Sequence, residues 1–213
     1  CRWNYALVEE KRPGEYFPVF EDSRGTYLMS SRDLCMLPHL PLLTDAGVDS
    51  FKIEGRMKGV NYVAGVVKVY REAVDSLEAG GPWCIKKSWA EELAMFSNRG
   101  YTTGMFFGKQ PDCDYNFDGA SYRMSHELVG VVMEVSGGSA RIALRNRLDK
   151  GDSIQYLTPG LEGMRFTADS MRDVEGAPIT SARNEDIITI SVPPGVREND
   201  LIRRQKDDRI KSV

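Results

Sequence analysis

Hydrophobic and polar positions change their period partway along the chain. From Asn61 to about Leu77, apolar residues recur every three or four positions, which predicts an amphipathic helix with one buried stripe. From His126 onward, short alternating runs are separated by Gly and Pro turns, a pattern typical of β-strands. We therefore expect a mixed α/β region followed by an all-β region.

The first region also carries the pattern of a hairpin and of two further helices. Residues 15–22 and 26–30 read as strands around Ser23-Arg24-Gly25, which indicates a hairpin. Residues 88–98 predict a short helix. Leucines at helical spacing between residues 34 and 43 predict another helix, which ends at Gly47.

That leucine-rich helix has a start signal and two opposing signals. Ser30-x-x-Asp33 fits a capping box, in which the two side chains satisfy backbone donors of the first turn. Pro38 and Pro41 each remove a backbone donor and favour a kink. Cys35 and His39 would then share one helix face, as half of a metal site or as a thiolate–imidazole pair. A buried cysteine beside a partly exposed histidine is the alternative.

Residues 48–56 read as a strand with two unlike faces. A strand between helices is the order of a (β/α) barrel or an open α/β sheet. The charged face must meet water, a partner or the lumen of a barrel. Buried charges are tolerated only when paired, and the surplus positive charge would then await an anionic ligand; a solvated edge strand is the alternative. The faces are Phe51, Ile53 and Gly55 on one side, and Lys52, Glu54 and Arg56 on the other.

The all-β region predicts a small closed barrel. Residues 129–135 and 140–144 flank Gly137-Gly138 as a hairpin. The run Leu148 to Ile154 resembles Val196 to Ile202, each a turn that leads into a strand. We expect two domains, residues 1–119 and 120–213. Further strands are predicted at residues 153–157, 164–167, 187–192 and 201–204.

Composition narrows the class of protein. A net charge of −3 gives no global signal for nucleic-acid binding, so any RNA contact would use a local patch. No apolar run approaches the length of a membrane span, and four widely spaced cysteines favour a reducing cytoplasm. The chain opens on Cys1 instead of Met, and we expect it to belong to a longer protein.

Most familiar catalytic signatures are missing from the sequence. It contains no G-x-S-x-G elbow, H-E-x-x-H helix, P-loop or dinucleotide fingerprint. Two histidines, His39 and His126, make a Ser–His or multi-histidine zinc mechanism hard to assemble. A peptidase of ordinary type is therefore not expected from these residues alone.

Several runs resemble blocks of peptidase family U32. Residues 31–35 (S-R-D-L-C) and 46–58 (A-G-V-D-S-F-K-I-E-G-R-M-K) are similar to the core of that family, and the similarity extends over essentially the whole chain. Other matching runs are C-R-W at 1–3, E-E-x-R-P-G-E at 9–15, residues 62–64 and 70–75, and N-R-G-Y-T-T-G at 98–104.

The resemblance implies an α+β fold and candidate site residues. The fold would be the C-terminal remnant of a (β/α) barrel followed by a small β-barrel like the second domain of elongation factors. Lys52, Glu54 and Arg56 become candidate catalytic residues, and Arg2 and Lys58 candidate substrate-binding residues. Cys1 matches a family cysteine and is a candidate iron–sulfur ligand in the intact protein, where the cluster would be 4Fe-4S; no cofactor is expected in this chain alone.

Three functions remain open. The branch that the C-R-W and R-P-G-E runs most resemble hydroxylates tRNA uridine and uses prephenate, a dicarboxylate that Lys52 or Arg56 could bind. The family was first described as collagenase-like peptidases, whose catalytic groups would lie outside this chain. The third reading is a non-catalytic module whose β-barrel docks RNA or protein. No membrane partner is expected, and the chain alone is expected to self-associate over exposed apolar surface.

Overall fold

The computed structural model describes residues 5–11, 13–22, 25–28, 32–96, 98–108, 124–159 and 164–206. Contacts divide the chain into two compact units. The first comprises Cys1–Phe51, Ala73–Lys87 and Ser97–Arg123; the second comprises Lys52–Glu72, Ser88–Phe96 and Met124–Val213. The domain boundary predicted near residue 120 lies outside the described residues.

The first unit begins with a small antiparallel sheet. Strands β1 (Ala6–Leu7), β2 (Phe17–Asp22) and β3 (Gly25–Leu28) pair in that order. The pairing of Val19 with Leu28 confirms the predicted hairpin, whose turn residues 23–24 lie outside the described residues.

The predicted leucine-rich helix is shorter than expected. Asp33–Leu34 forms strand β4, a 3-10 turn covers Leu37–His39, and helix α1 covers only Leu40–Asp45. The capping-box prediction is therefore wrong, since Asp33 is in a strand. Pro38 and Pro41 sit in the first turn of each short helix, where a missing N–H costs nothing. The helix ends at Asp45, two residues before the predicted Gly47, which follows the C-cap Ala46 with a φ of +80°.

The strand predicted at residues 48–56 is wrong. Residues 48–55 have no regular secondary structure, and no described strand pairs with them. Alternation sets which side chains avoid water, but a strand also needs a hydrogen-bonding neighbour. The predicted faces nevertheless persist in this extended segment: Phe51, Ile53 and Gly55 are half-buried, whereas Lys52, Glu54 and Arg56 are exposed.

Both longer helices predicted from the sequence are confirmed. Helix α2 covers Val60–Glu78 and buries Val66, Val69 and Ala73. Helix α3 covers Lys87–Met95, somewhat less than predicted. Among the described residues, neither helix is long and apolar enough to cross a membrane. Strand β5 (Tyr101–Thr102) pairs in parallel with β4.

The second unit contains an antiparallel sheet of seven described strands. Its order is β10-β9-β14-β6-β7-β13-β11, and a separate pair joins β12 to β8. Every strand predicted in this region is confirmed. The bounds are β6 His126–Ser136, β7 Ser139–Leu144, β8 Leu148–Asp149, β9 Ser153–Leu157, β10 Arg165–Thr167, β11 Met171–Arg172, β12 Ser181–Ala182, β13 Ile187–Ser191 and β14 Leu201–Gln205.

The sheet is curled because its two edge strands are neighbours in sequence. Six spacings of about 4.8 Å would separate the edges of a flat sheet by about 29 Å. Thr167 at the end of β10 and Met171 at the start of β11 are only four residues apart, a reach of about 14 Å. Among the described strands the two edges are not paired with each other, so these strands form a curled antiparallel sheet that is open at its edges.

One turn recurs three times around the curled sheet. In each copy an Asp carboxylate accepts a hydrogen bond from the backbone N–H three residues earlier, and the residue before the Asp has a positive φ. The predicted similarity between residues 148–154 and 196–202 is confirmed, and residues 182–188 are a third copy. The carboxylates are Asp152, Asp186 and Asp200, at 3.0, 2.7 and 2.7 Å, preceded by Gly151, Glu185 and Asn199 with φ of +92°, +75° and +69°.

Candidate anion-binding site

The charged segment predicted from the sequence forms a loop that leads into helix α2. The Glu54 Oε1 atom accepts a hydrogen bond from the Arg56 backbone N–H at 3.2 Å, and the Lys58 N–H donates to the Gly55 carbonyl at 2.9 Å. These local bonds form a tight turn that presents Lys52 and Arg56 to solvent. Neither of those side chains has an ion-pair partner in the described part of the chain.

The N-terminus of helix α2 follows this loop directly. The helix is 19 residues long, and its backbone dipole places partial positive charge at Val60. Lys58 adds a full charge and lies 5.0 Å from the centre of the Tyr62 ring, a cation–π contact. Asn61 is 9% exposed, and its Oδ1 atom has no hydrogen-bond partner among the described residues.

This arrangement favours an anion with more than one oxygen. Helix N-termini bind phosphates and carboxylates through free N–H groups and the dipole. Arg56 supplies a planar fork that matches a carboxylate, whereas Lys58 acts as a point charge. The unpartnered Oδ1 atom of Asn61, near the start of the same helix, would be satisfied by water or by a polar ligand, because buried polar atoms normally have partners.

The other predicted site residues are not part of this loop. Cys1 and Arg2 lie outside the described residues. Cys35 precedes the 3-10 turn and His39 ends it, so the predicted shared helix face is wrong. The His39 ring instead contacts Phe107 edge-on, with centroids 4.7 Å apart. Within the described ranges, no group of three or more metal-ligating side chains could hold a metal ion.

Two of the runs used for the family resemblance meet in the first unit. The Asp33 Oδ1 atom accepts a hydrogen bond from Arg99 Nη2 at 3.0 Å, and β4 pairs with β5 alongside. The Cys35 N–H also donates to the Thr102 carbonyl at 2.8 Å. This ion pair therefore joins two separate motifs and has a structural role.

The sequence analysis missed a buried ion pair in the second unit. Arg203, 1% exposed, donates to both carboxylate oxygens of Glu92 at 2.5 and 2.8 Å and through Nε to Gln155 at 3.0 Å. Its guanidinium lies 5.7 Å from the centre of the Phe96 ring. Alternation along β14 places Arg203 on the sheet face opposite Ile202, but local sequence does not show that helix α3 covers this face.

His126 lies close to this pair. Burial lowers its pKa, the positive charges of Arg203 and Arg165 lower it further, and Glu92 acts in the opposite direction. Its Nδ1 atom is 2.9 Å from the Ser125 hydroxyl oxygen. The imidazole is therefore held neutral at neutral pH in a locally positive field.

Comparison with known proteins identifies the family of the N-terminal and C-terminal segments of the chain. The model of peptidase family U32 matches residues 1–116, and the model of the U32 C-terminal domain matches residues 124–203. The chain belongs to peptidase family U32.

Relatives in the family carry two kinds of name. tRNA hydroxylation protein P from Escherichia coli is 39% identical over 81% of this chain and 38% of its own length. tRNA hydroxylation protein P1 from Bacillus subtilis is 29% identical over 97% of this chain and 50% of its own length. A Methanocaldococcus jannaschii protein named as an uncharacterized protease is 32% identical over 97% and 51%. The chain thus spans about half or less of each relative.

Proposed function

We propose that the protein containing this chain hydroxylates tRNA. The observation that carries the proposal is the 39% identity with a tRNA hydroxylation protein over most of this chain. Two further features support it. The described residues offer a cationic loop for a small anion, and the Ser125–His126 contact has no hydrogen-bonded carboxylate among the described contacts. A tRNA substrate would place the protein in the cytoplasm.

The loop is proposed to bind the small co-substrate. Prephenate carries two carboxylates, and the loop presents Lys52 and Arg56 to solvent just before a helix N-terminus. The Arg56 guanidinium would donate two hydrogen bonds to one carboxylate. Lys58 and the first N–H groups of α2 would bind the other carboxylate. Glu54 would keep the loop closed through its bond to the Arg56 N–H.

An iron–sulfur cluster does not fit the described residues. Thiolate ligands are required, and the two described cysteines, Cys35 and Cys84, are not part of any group that could hold a metal. Cys1, the candidate ligand implied by the resemblance, lies outside the described residues. We therefore assign no step of the reaction to a cluster. Iron and sulfide analysis of the intact protein, purified without oxygen, measures directly whether one is bound.

Turnover of tRNA tests the proposal. The intact protein is assayed with tRNA and prephenate, and hydroxylated uridine is measured by mass spectrometry of the nucleosides. Arg56→Ala should lower turnover about ten- to a hundred-fold, since it removes a charge-assisted contact worth roughly 1.5–3 kcal/mol. The matched control Arg145→Ala, an exposed arginine of the second unit, should stay near wild type, as should Cys35→Ala and His39→Ala. Equal losses in Arg56→Ala and Arg145→Ala would refute a role for the loop.

Peptide hydrolysis is the second candidate. One relative is named as a protease, and Ser125 and His126 form a hydroxyl–imidazole contact of 2.9 Å. No carboxylate hydrogen-bonds the other nitrogen of this imidazole among the described contacts, so an orienting acid is missing. The peptidase interpretation is correct if Ser125→Ala abolishes cleavage of a peptide while Arg56→Ala does not change hydroxylation of tRNA. Binding of RNA without either reaction would leave the binding-module reading.

A further inference from the structure

A polar groove crosses the outer face of the curled sheet, away from the loop. Its volume is about 630 Å³, within the range of ligand-binding clefts. The strand register places Arg165 opposite Gln155, and Gln155 opposite Arg203, so these side chains share one face. The opposite face carries Ile154, Phe166 and Ile202 into the core. The groove therefore lies outside the hydrophobic core and opens to solvent.

Most charges in the groove are already paired. Arg203 is bound by Glu92, Arg204 is bound by Glu127 and Asp152, and Asp149 is bound by Arg147 at 2.9 Å. The carboxylates that line the groove are thus held by arginines. Two further lining cations, Arg165 and Lys206, have no ion-pair partner in the described part of the chain.

The remaining groups at the groove are hydrogen-bond donors. Ser153 and Gln205 line it beside the free cations, with a hydroxyl and an amide. Hydroxyl, amide, lysine and arginine side chains are the groups that most often contact phosphate oxygens in nucleic-acid complexes. A divalent cation fits less well, because the acidic side chains there are already engaged by arginines.

We propose that this groove binds a phosphate group of an RNA backbone, through Arg165 and Lys206. The choice of RNA rests on the proposed function, since a tRNA-modifying protein must hold its substrate. The binding itself requires neither the co-substrate nor turnover. A protein that binds RNA here and hydroxylates nothing would support the groove and refute the proposed function, so the two failures are distinguishable.

His126 reports on occupancy of the groove. The charged groups that face it are Arg203 on β14, Arg165 on β10 and Glu92 on α3, and Ser125 hydrogen-bonds its Nδ1 atom. A bound phosphate beside Arg165 offsets the positive field at the imidazole, so the pKa of His126 rises when the groove is filled. The chain has only two histidines, His39 and His126, so their ring signals are simple to assign by NMR.

The test titrates the full chain with three probes. A single-stranded RNA oligonucleotide, inorganic phosphate and heparin are added separately, and the pKa of each histidine is followed by NMR. RNA affinity is measured against salt for the wild type, Arg165→Gln and the matched control Arg141→Gln. Arg141 is an exposed strand arginine of the same unit, paired with Glu134 outside the groove. Far-UV circular dichroism verifies that each variant folds.

The expected result is specific to His126 and Arg165. RNA should raise the pKa of His126 and leave the ring signals of His39 in place. Arg165→Gln should weaken RNA binding about fivefold and reduce the salt slope by about 0.7, the value for one phosphate contact on a single strand. Arg141→Gln should alter neither measure to that extent.

Three outcomes would overturn the proposal. Equal effects of Arg165→Gln and Arg141→Gln would show general charge attraction instead of a site. If inorganic phosphate or heparin shifts the pKa of His126 and RNA does not, the groove binds another anion. No shift of His126 with any probe would show that the groove does not bind phosphate.

Discussion

Arg203 is a buried cation, and the folded state tolerates its charge because the carboxylate of Glu92 compensates it. Both its terminal nitrogens bond to Glu92, and its exposed fraction is 1%. Removing one member of a buried pair leaves the other charge without compensation, which costs about 3–5 kcal/mol. The pair therefore contributes to stability mainly because neither partner can be lost alone.

Arg203→Met tests this dependence. We expect its free energy of unfolding in urea to fall by about 3–5 kcal/mol, because Glu92 is left without its partner. The double variant Arg203→Met with Glu92→Leu should recover most of the loss, since no buried charge remains. Arg141→Met breaks an exposed pair with Glu134 and should cost at most about 1 kcal/mol. A single-variant loss as small as that of Arg141→Met would contradict the buried-pair account.

His126 makes stability depend on pH near neutrality. Its pKa is lower in the folded chain than the ordinary value of 6.5, because burial and two arginines oppose protonation. The unfolded chain therefore binds this proton more tightly. Its contribution to stability is complete above pH 6.5 and is lost as the pH falls from there through the lower pKa of the folded chain.

Urea unfolding at two pH values checks the sign of this effect. The wild type should lose more stability between pH 7.5 and pH 5 than His126→Gln, whose side chain does not titrate. Arg141→Gln, which removes an exposed arginine and no histidine, is the control and should keep the pH dependence of the wild type. Identical pH dependence in wild type and His126→Gln would mean that the environment of His126 does not shift its pKa.

Residue-level prediction from sequence succeeded for exposure and failed for partners. Alternation from Phe51 to Arg56 separated the half-buried residues from the charged ones, but it left open whether the charged face meets water, where the structure places it. The pairing of Glu92 with Arg203 could not be predicted, because the two residues are 111 positions apart and local pattern does not specify which helix covers this face of the sheet.

The recurring turn combines a carboxylate with a left-handed residue. A residue with a side chain at positive φ is strained by about 1–2 kcal/mol, less for Asn, and Gly avoids the strain. Gly151 is relaxed at this position, whereas Glu185 and Asn199 are not. The three copies therefore differ in strain while sharing one hydrogen-bond pattern.

Exchanging residues at this position should change stability in opposite directions. Glu185→Gly should raise the free energy of unfolding by about 0.5–1 kcal/mol, because strain is lost at some cost in chain entropy. Asn199→Gly should gain less. Gly151→Ala should lose about 1 kcal/mol. Thermal unfolding of the three variants gives the order directly, and a loss in Glu185→Gly would show that the glutamate makes a compensating contact.

Elements were predicted best where local sequence decides the structure. The Gly137-Gly138 hairpin and the strands after it form because their turns and alternation are both local. Helix α2 was predicted from its long apolar stripe. The strand at residues 48–56 was wrong because strand formation depends on a neighbour, which local pattern does not specify. The third turn was missed because Ala182 and Glu185 replace larger or more typical residues.

At the scale of the whole molecule, the C-terminal domain has its own core. Its buried cluster runs from Val129 to Ile202 and draws on no residue of the first unit. Arg203, by contrast, is covered by helix α3, which precedes that domain in sequence. The domain is therefore stabilised by its own apolar cluster, whereas Arg203 is buried by helix α3.

A piece containing residues 124–213 keeps the apolar cluster and lacks helix α3, so it tests the two contributions separately. It should unfold cooperatively by itself, because it keeps the entire cluster. Arg203→Met should be nearly neutral in this piece, within about 0.5 kcal/mol, since water replaces Glu92 as the partner of the arginine. In the full chain the same substitution should remain costly. Equal losses in both contexts would show that Arg203 stabilises the sheet without α3.

The Glu92–Arg203 pair also constrains which substitutions family members tolerate at these two positions during evolution. The two family models divide the chain between residues 116 and 124, but the pair connects one matched segment to the other. A C-terminal domain exchanged between relatives would leave its arginine buried and unpaired, at a cost in stability, unless the new helix supplies the matching carboxylate. Positions 92 and 203 should therefore covary across the family, switching together from an acid–arginine pair to two apolar residues.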